Sequence, residues 1–471
     1  FKRDSFELNI TIEGEGTVKE EVIVQPGQYD YETVVRLTAI PEKCWTVGGW
    51  EMSGDVISNS SSIELTLTSS ISITLNFDEV PSRDILPFND ISYYTNNYYD
   101  TIFNAVLALE NTISNPLDAV AVDYNMDGYL DLVHTNSNYA KSGSGEEVKN
   151  KIKFYFGDCE GTFEEDSNLS GVYDGLIHGR KGLIGDYNLD GFPDIFFAGH
   201  GIDVDPYSGE YPILLFNKAG IGFELLEFDS LIGFFHTAAS GDYDNDGDLD
   251  IVLTSQNKTY ILQNENGDFT IVEDDIHYDE RAITSFSSKT IVPQLNSIYT
   301  SELYDVNKDG YLDYVVAGHD WGENDIRETG FQSRVLLGNG NSFTNGELLI
   351  PRIDGFGVVL DINFYDIDAD GNIEIILSRT GDNVNGLGNY IGWYIQVLEL
   401  DGSEYIDRTE KYIDNYSSND DFEIYRLHIA DLENDGIIDL FNDQLELKGN
   451  NGDDILYKVW QLNNGKFIRS R

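Results

Sequence analysis

The amino-acid sequence predicts an all-β protein with a small N-terminal β module followed by a larger repeat domain. Residues 6–79 contain short runs of alternating apolar and polar residues, separated by turn sequences such as GEG and SGD, as expected for half-buried strands. Further along, a nine-residue acidic motif recurs six times at intervals of 56 to 65 residues. Each copy lies between two apolar runs, and a third run leads to a glycine-containing turn. Four antiparallel strands per repeat, packed radially, predict a β-propeller.

These patterns divide the chain into three predicted parts. Residues 1–80 form the small all-β module, residues 81–99 form a linker, and residues 100–471 form the propeller. Six complete repeats favour six blades of four strands each. A seventh, degenerate blade over residues 84–115 stays open, although this segment is short for four strands. Trp45 and Trp50 are expected in the core of the small module.

Composition excludes several classes of partner. The chain carries 84 Asp and Glu against 29 Lys and Arg, for a net charge of −55. Such a protein repels the phosphates of nucleic acids and of anionic membranes, and its carboxylates favour cations instead. No run approaches the roughly 20 apolar residues of a membrane-spanning helix. The two cysteines, Cys44 and Cys159, are expected as separate small buried side chains without a disulfide.

The repeated motif reads D-x-[DNE]-x-D-G-x-x-[DE]. Positions 1, 3 and 5 would turn side-chain oxygens inward, position 7 would offer its backbone carbonyl, and position 9 would close the ring with a carboxylate. The glycine at position 6 permits the sharp turn. Six or seven hard oxygens at this spacing suit Ca²⁺ better than Mg²⁺, which keeps more water and requires stricter octahedral geometry. The sequence therefore predicts about six structural calcium ions.

The predicted ligands occupy positions 1, 3, 5, 7 and 9 of each copy. They are Asp123, Asn125, Asp127, Tyr129, Asp131; Asp186, Asn188, Asp190, Phe192, Asp194; Asp242, Asp244, Asp246, Asp248, Asp250; Asp305, Asn307, Asp309, Tyr311, Asp313; Asp366, Asp368, Asp370, Asn372, Glu374; and Asp431, Glu433, Asp435, Ile437, Asp439. An EF-hand would need an acidic residue at position 12, which all six copies lack. Plain Asp- and Asn-rich turns are the alternative, and six copies in one register argue against it.

The six acidic copies resemble the FG-GAP/VCBS repeats, the calcium-loop propeller repeats of integrin α subunits and of many bacterial surface proteins. The dipeptide after which that family is named is degraded here, with partial matches in YFGDCEGTF and LLGNGNSF. Residues 6–79, with G-x-V, V-x-L-T-A-x-P and G-W, are similar to InlB B-repeat modules of bacterial surface proteins. These resemblances imply a secreted or surface-anchored bacterial protein, with a signal and a lipid-anchored cysteine as an option before Phe1.

A non-catalytic role is favoured because no Ser-His-Asp motif, phosphate loop or zinc spacing is apparent. The connections after the second strand of each repeat are long, and we expect them on the face opposite the acidic loops, presenting a binding surface to a glycan or a protein. The candidate residues of this ligand face are His200, Tyr207, His319, Trp321, Tyr390 and Trp393. Packing between blades is the alternative for the aromatic residues. The alternative function is a calcium-dependent polysaccharide lyase or another carbohydrate-active enzyme on a propeller scaffold.

Overall fold

A computed structural model gives the fold of the chain. It describes residues 6–24, 33–79, 119–135, 148–159, 162–204, 208–255, 258–274, 298–320, 332–343, 346–382, 389–430, 437–442 and 458–470. The predicted linker and the segment of a seventh blade lie outside these residues. The chain forms two compact units, Phe1–Ile85 with Gly157–Thr162, and Leu86–Phe156 with Phe163–Arg471.

The first unit is a pair of small sheets around one core. Its strands are β1 (Leu8–Glu13), β2 (Gly16–Val24), β3 (Thr33–Pro41), β4 (Trp45–Met52), β5 (Asp55–Ser58), β6 (Ser62–Leu67) and β7 (Ile71–Glu79). One sheet has the order β1-β7-β4-β5, with β1 and β7 parallel, and the other has the order β2-β3-β6. Trp50 is fully buried between Leu37 and Leu75, and the partly buried Trp45 packs against the same cluster. Both tryptophans are therefore core residues, as expected.

The expectation for the cysteines is wrong, because Cys44 and Cys159 form a disulfide. The bond spans a sequence separation of 115 residues. Cys159 belongs to the segment Gly157–Thr162, which clusters with the first unit. In the same segment, Asp158 forms an ion pair with Lys43, with 3.0 Å between Oδ2 and Nζ. Two cysteines so far apart leave no spacing signal, since pairing of this kind is decided by the folded chain rather than by local sequence.

The second unit consists of antiparallel sheets in which consecutive strands are neighbours. Sheet 1 contains β8 (Ala119–Val122), β9 (Asp131–His134), β10 (Lys153–Gly157) and β11 (Phe163–Glu165). Sheet 2 contains β12 (Gly179–Gly185), β13 (Asp194–Gly199), β14 (Ile213–Asn217) and β15 (Phe223–Glu227). Sheet 3 contains β16 (Phe235–Gly241), β17 (Asp250–Ser255), β18 (Lys258–Glu265) and β19 (Asp268–Asp274).

Three further sheets repeat this order. Sheet 4 contains β20 (Ile298–Tyr304), β21 (Asp313–Gly318), β22 (Arg334–Leu337) and β23 (Gly346–Leu349). Sheet 5 contains β24 (Val358–Tyr365), β25 (Glu374–Asp382), β26 (Asn389–Asp401) and β27 (Glu404–Asp407), with β28 (Ser417–Phe422) added to β26. Sheet 6 contains β29 (Leu427–Ala430), β30 (Asp439–Asn442), β31 (Val459–Asn463) and β32 (Lys466–Arg469). The single turn α1 (Thr409–Tyr412) is the helix of the described residues. The all-β prediction is confirmed.

The first strands of the sheets meet at a common centre. Strands β8, β12, β16, β20, β24 and β29 contact one another in that order. In addition, Lys181 of β12 lies 2.6 Å from Glu302 of β20, and Arg180 donates to the hydroxyl of Tyr425, just before β29, at 2.7 Å. Sheets 2, 4 and 6 therefore approach each other through their first strands, which is the radial arrangement of a β-propeller. Six such sheets lie in the described residues, and the total number of blades stays a prediction.

Apolar side chains of neighbouring sheets fill the spaces between them. For example, Phe197 and Leu215 of sheet 2 pack with Val133 and Phe154 of sheet 1 in one buried cluster. No helix in the described part of the chain is long and apolar enough to cross a membrane.

The disulfide leads to a direct test. The unreduced protein, denatured in the absence of reductant, should expose no reactive thiol, and reduction should release both. The double variant Cys44→Ser/Cys159→Ser should lose roughly 2–5 kcal/mol of unfolding free energy, because its unfolded chain is no longer cross-linked. Thiol titration and denaturant unfolding measure these effects. Reductant should not destabilise the variant further, and two reactive thiols in the unreduced protein would contradict the bond.

Candidate calcium sites

In sheets 1 to 5, the acidic motif forms the hairpin between the first and second strands, and in sheet 6 the motif lies in sequence between the paired strands β29 and β30. We number these hairpins acidic loops 1 to 6, at residues 123–131, 186–194, 242–250, 305–313, 366–374 and 431–439. Loops 1 to 5 are described completely. In loop 6, Asp431, Glu433 and Asp435 lie outside the described residues, whereas the position-7 residue Ile437 and the buried position-9 residue Asp439 are described.

The same hydrogen bonds close all five described loops. In loop 2, the two carboxylate oxygens of Asp186 at position 1 accept the N–H groups of Asp190 and Gly191, both at 2.9 Å. Asp190 at position 5 accepts the N–H of Phe192 at 3.0 Å. Equivalent bonds recur in loops 1, 3, 4 and 5. The carboxylates at positions 1 and 5 therefore curl the backbone around themselves.

The backbone of each loop passes twice through the left-handed region. The glycine at position 6 has φ between 87° and 103° in the five described loops, a conformation that favours glycine. Position 4 also has positive φ although it is never glycine, with values of 53° at Leu189 and 60° at Met126. Bulky residues rarely adopt this conformation. The hydrogen bonds to position 1 hold the turn in place despite that preference.

The carboxylate at position 9 ties the loop to the body of its sheet. Asp194 accepts the N–H of Tyr187 at 2.9 Å through one oxygen and that of Asn217, at the end of β14, at 2.8 Å through the other. Asp250 and Asp313 make the same pair of bonds. Burial, together with the charges of nearby loop carboxylates, raises the pKa of Asp194, Asp250 and Glu374 to about 7 and that of Asp313 to about 6, although the backbone hydrogen bonds oppose this rise.

Acidic loop 3 has the donor set most suited to a cation. One oxygen each from Asp242, Asp244 and Asp246 lies within 4.8 Å of the other two. The buried oxygens Asp244 Oδ1 and Asp248 Oδ1 accept no hydrogen bond, and in the described part of the chain no lysine or arginine pairs with these four carboxylates. Buried carboxylate oxygens without a donor are costly. A hard cation would satisfy them, so the residues present fit Ca²⁺.

Acidic loop 5 gathers a similar set but already holds a cationic side chain. Asp366, Asp368 and Glu374 approach one another within the same 4.8 Å limit. However, Lys411 lies 3.2 Å from Asp368 Oδ2, and the hydroxyl of Tyr412 donates to the same oxygen at 3.0 Å. Asp368 Oδ1 remains without a donor. Lysine and a metal ion would therefore compete for this carboxylate.

Loops 1, 2 and 4 carry asparagine at position 3. In each loop its side-chain oxygen accepts the N–H of position 5, and its amide nitrogen donates to the carboxylate at position 5. The amide therefore partly satisfies the carboxylate that would otherwise face a cation. These three loops have three carboxylates each, whereas loop 5 has four and loop 3 has five.

Sequence reasoning missed the two asparagines that connect loops 1 and 2 to the next sheet. The amide nitrogen of Asn217 in sheet 2 donates to the carbonyl of Tyr124 in loop 1 at 2.8 Å. Asn264 in sheet 3 donates to the carbonyl of Tyr187 in loop 2 at 2.7 Å. Both asparagines precede the glycine turn of the third strand, in FNKAG and QNENG, and this shared position was the available signal.

The residues of the predicted ligand face do not share one environment. His200 and Trp393 are buried, Trp393 in a core cluster where it contacts Trp460. For Trp393 the packing alternative is therefore favoured over stacking on a ligand. His319 and Tyr390 are half-buried and lie together, 3.3 Å from ring nitrogen to hydroxyl. Tyr207 and Trp321 lie outside the described residues.

Comparisons with known proteins support both resemblances. Residues 242–316, which run from acidic loop 3 to just beyond loop 4, match the FG-GAP-like repeat. Residues 6–81 match the divergent InlB B-repeat domain. The chain thus contains both kinds of module, as the motifs predicted. No curated protein matches the chain.

Solved structures with some likeness have low sequence identity. An exotype rhamnogalacturonan lyase is 11% identical, with a TM-score of 0.37 over 99% of this chain and 75% of that one. A rhamnogalacturonan lyase from Bacillus licheniformis is 12% identical, with a TM-score of 0.36 over 100% and 76%. A putative 6-phosphogluconolactonase from Bacteroides uniformis is 10% identical, with a TM-score of 0.42 over 76% and 85%. None of the three bears on the activity of this chain.

The raised pKa values at position 9 predict an unusual pH dependence of stability. A carboxyl whose pKa is higher in the folded than in the unfolded chain stabilises the fold below about pH 4 and loses that contribution as the pH rises to about 7. In EDTA, the melting temperature should therefore fall across this range. Calcium favours the ionised carboxylates, so its stabilising effect should grow over the same range. Melting curves at matched ionic strength measure both trends.

The variant Asp250→Asn tests the share of a single site. It removes the titrating carboxyl of loop 3 and should flatten the fall in EDTA without removing it, because the other loops still titrate. A melting temperature in EDTA that rises steadily from pH 4 to pH 7 would contradict the assignment of these buried carboxyls.

Proposed function

We propose that the protein is an extracellular calcium-binding β-propeller that presents a loop face to a glycan or a protein partner. The observation that carries the calcium part is acidic loop 3, where three carboxylate oxygens converge and further buried oxygens have no donor. Oxygen donors from carboxylates and a backbone carbonyl are the ligands that Ca²⁺ takes in flexible coordination. The residues that would hold the ion are those at positions 1, 3, 5, 7 and 9.

The proposed calcium has a structural role. Each of the five described acidic loops closes a first-to-second-strand hairpin, and Asn217 and Asn264 link two of these loops to the following sheets. An ion that neutralises the loop would therefore stabilise both the hairpin and the contact between neighbouring sheets. A calcium sensor instead couples its site to an element with two arrangements. Five hairpins with the same hydrogen bonds offer no such element in the described residues.

Two features support an extracellular setting. The Cys44–Cys159 disulfide is of a kind that persists in oxidising surroundings and is rare in reducing cytosol. The N-terminal module matches a divergent InlB B-repeat domain, which is a module of bacterial surface proteins. The codons upstream of Phe1 test the proposal, since a secreted or lipid-anchored protein needs a signal there.

The proposed ligand face lies at the opposite strand ends from the acidic loops. In each sheet, the second strand begins at the acidic loop and ends at the opposite edge of the sheet. The connection from the second to the third strand therefore lies at that opposite edge. The half-buried pair His319 and Tyr390 lies there, with Tyr299 and Tyr425 beside it. Aromatic rings near the surface can stack on sugars or anchor a protein partner. This cluster is the part of the predicted face that the described residues support.

Calcium should raise the melting temperature substantially. Each site that binds only the folded chain adds about 2.7 kcal/mol at one hundred times its Kd. We expect EDTA to lower the melting temperature relative to millimolar CaCl₂ at a constant ionic strength of about 0.15 M, which keeps screening of the charge matched. Mg²⁺ at equal concentration should be less effective. Coincident curves in EDTA and CaCl₂ would contradict structural calcium.

Variants of loop 3 assign part of that effect to one site. Asp246→Ala removes a converging carboxylate and should forfeit much of the stabilisation that this loop gains from calcium. Asp268→Asn is the matched control, since Asp268 is an exposed carboxylate of the same sheet outside the loop. Isothermal titration should show one fewer calcium ion bound by the first variant and an unchanged number bound by the second.

Binding to a partner is tested separately from calcium. A glycan array and a screen of surface proteins, both in CaCl₂, should reveal a ligand whose affinity falls roughly two- to tenfold in Tyr390→Ala, because one stacked ring contributes about 0.5–1.5 kcal/mol. Absorbance of unsaturated products from acidic polysaccharides distinguishes the enzyme alternative. Calcium-supported formation of unsaturated products would show that the protein is a lyase and would contradict the binding function. Ligand binding that is unchanged in Tyr390→Ala would show that the ligand binds at another part of the surface.

A further inference from the structure

Histidines gather at the end of the first strands, away from the acidic loops. His178 immediately precedes β12, and His200 immediately follows its partner β13. The N–H of His200 donates to the carbonyl of His178 at 3.1 Å, and the two ring centroids are 4.0 Å apart. His236 of β16 adds a third ring, 4.9 Å from that of His200. Three imidazoles and the neighbouring Asp203 thus lie beside the centre of the propeller.

Two of these rings contain a buried nitrogen without a hydrogen-bond partner. His200 and His236 each leave Nδ1 unsatisfied. Buried polar atoms in folded proteins are nearly always satisfied. The unsatisfied Nδ1 of His200 is therefore a candidate ligand atom for a bound ion.

A buried carboxylate holds the two histidine segments together. Glu210 Oε1 accepts the N–H groups of His178 and Gly201, both at 3.0 Å, and Oε2 accepts that of Ile177 at 2.7 Å. Bracing of this kind fixes backbone positions on both sides of the cluster. Groups that support metal ligands in this way increase the precision of a site.

The geometry points to a site for a divalent first-row transition ion, held by His178, His200 and Asp203. One ligand atom from each of these residues lies within 4.8 Å of the other two. Ligands of a tetrahedral ion with bonds of about 2.1 Å lie roughly 3.4 Å apart. Side-chain rotations that move the ligand atoms on the order of 1 Å would therefore bring them to this distance. Asp203 is half-buried and is the member nearest to solvent.

Nitrogen donors separate this site from the acidic loops. Imidazole suits Zn²⁺, Fe²⁺, Ni²⁺ and Cu²⁺, whereas Ca²⁺ and Mg²⁺ require oxygen ligands. Metal ions bind the neutral form of imidazole, and burial of His178 lowers the pKa of its ring. Three protein ligands leave at least one coordination position for water or another small ligand.

A nearby positive charge restricts what fills that position. The guanidinium of Arg180 lies 4.8 Å from the centre of the Tyr299 ring, and the same residue donates to the hydroxyl of Tyr425. The positive charge of Arg180 acts on His178, His200 and Asp203. It would therefore repel a bound metal ion, which would be the second positive charge in this region. An anion, such as hydroxide or a carboxylate, at the open coordination position would offset both positive charges.

Zinc titration of the metal-free protein tests the site. The titration is carried out in millimolar CaCl₂, which occupies the oxygen-rich loops. We expect one equivalent of Zn²⁺ per chain, and a Kd at least about tenfold weaker in both His200→Asn and Asp203→Asn. His134→Asn is the matched control, because His134 is a buried histidine of sheet 1 and is not a member of the cluster.

Cobalt gives a second readout that does not depend on folding energy. Co²⁺ in the wild type should show visible bands typical of nitrogen and oxygen ligation at low coordination number, and Asp203→Asn should shift or remove them. Because Asp203 is half-buried, Asp203→Asn is expected to fold. This variant therefore tests the site even if His200→Asn fails to fold. Absence of stoichiometric zinc binding in the wild type, or unchanged binding and spectra in Asp203→Asn, would overturn the proposal.

Discussion

The crowding of carboxylates in the inner hairpins is the constraint on which the rest of the propeller depends. Each described acidic loop folds three to five carboxylates into a nine-residue turn. Backbone N–H groups satisfy positions 1 and 9, as at Asp186 and Asp194, and in doing so set the shape of the turn. These donors carry only partial charges, so the repulsion between carboxylates is reduced but not removed. A divalent cation is the simplest group that would complete the neutralisation.

The same loops determine how sheets are joined. The carboxylate at position 9 accepts the backbone N–H of Asn217 or Asn264 and so connects the hairpin to the third strand of its own sheet. The side-chain amide of the same asparagine donates to a backbone carbonyl of the preceding loop. Tyr124 and Tyr187 at position 2 of loops 1 and 2 are fully buried beneath these bonds. A change at one loop is therefore transmitted to the neighbouring sheet through both a hydrogen bond and a packed ring.

Periodicity explains why much of this fold could be predicted. A motif that recurs with its flanking apolar runs identifies the first three strands of every repeat and places the acidic loops on hairpins. Features that occur once leave no such signal. The disulfide joins Cys44 to a turn 115 residues away, and strand β4 contains Gly48 and Gly49, which interrupt the alternation. The clamp by Asn217 was visible only as a shared position before a glycine turn.

Equivalent positions in a repeat need not be equivalent sites. Loops 3 and 5 contain similar acidic sets, yet Lys411 reaches Asp368 of loop 5 because, within the described residues, the added turn α1 and strand β28 follow sheet 5. The opposite strand ends diverge further. His200 and His319 occupy matching positions after β13 and β21, but His200 lies against His178 in the interior, whereas His319 bonds Tyr390. The repeat thus determines the positions of equivalent side chains, and residues outside the motif determine which contacts each of these side chains makes.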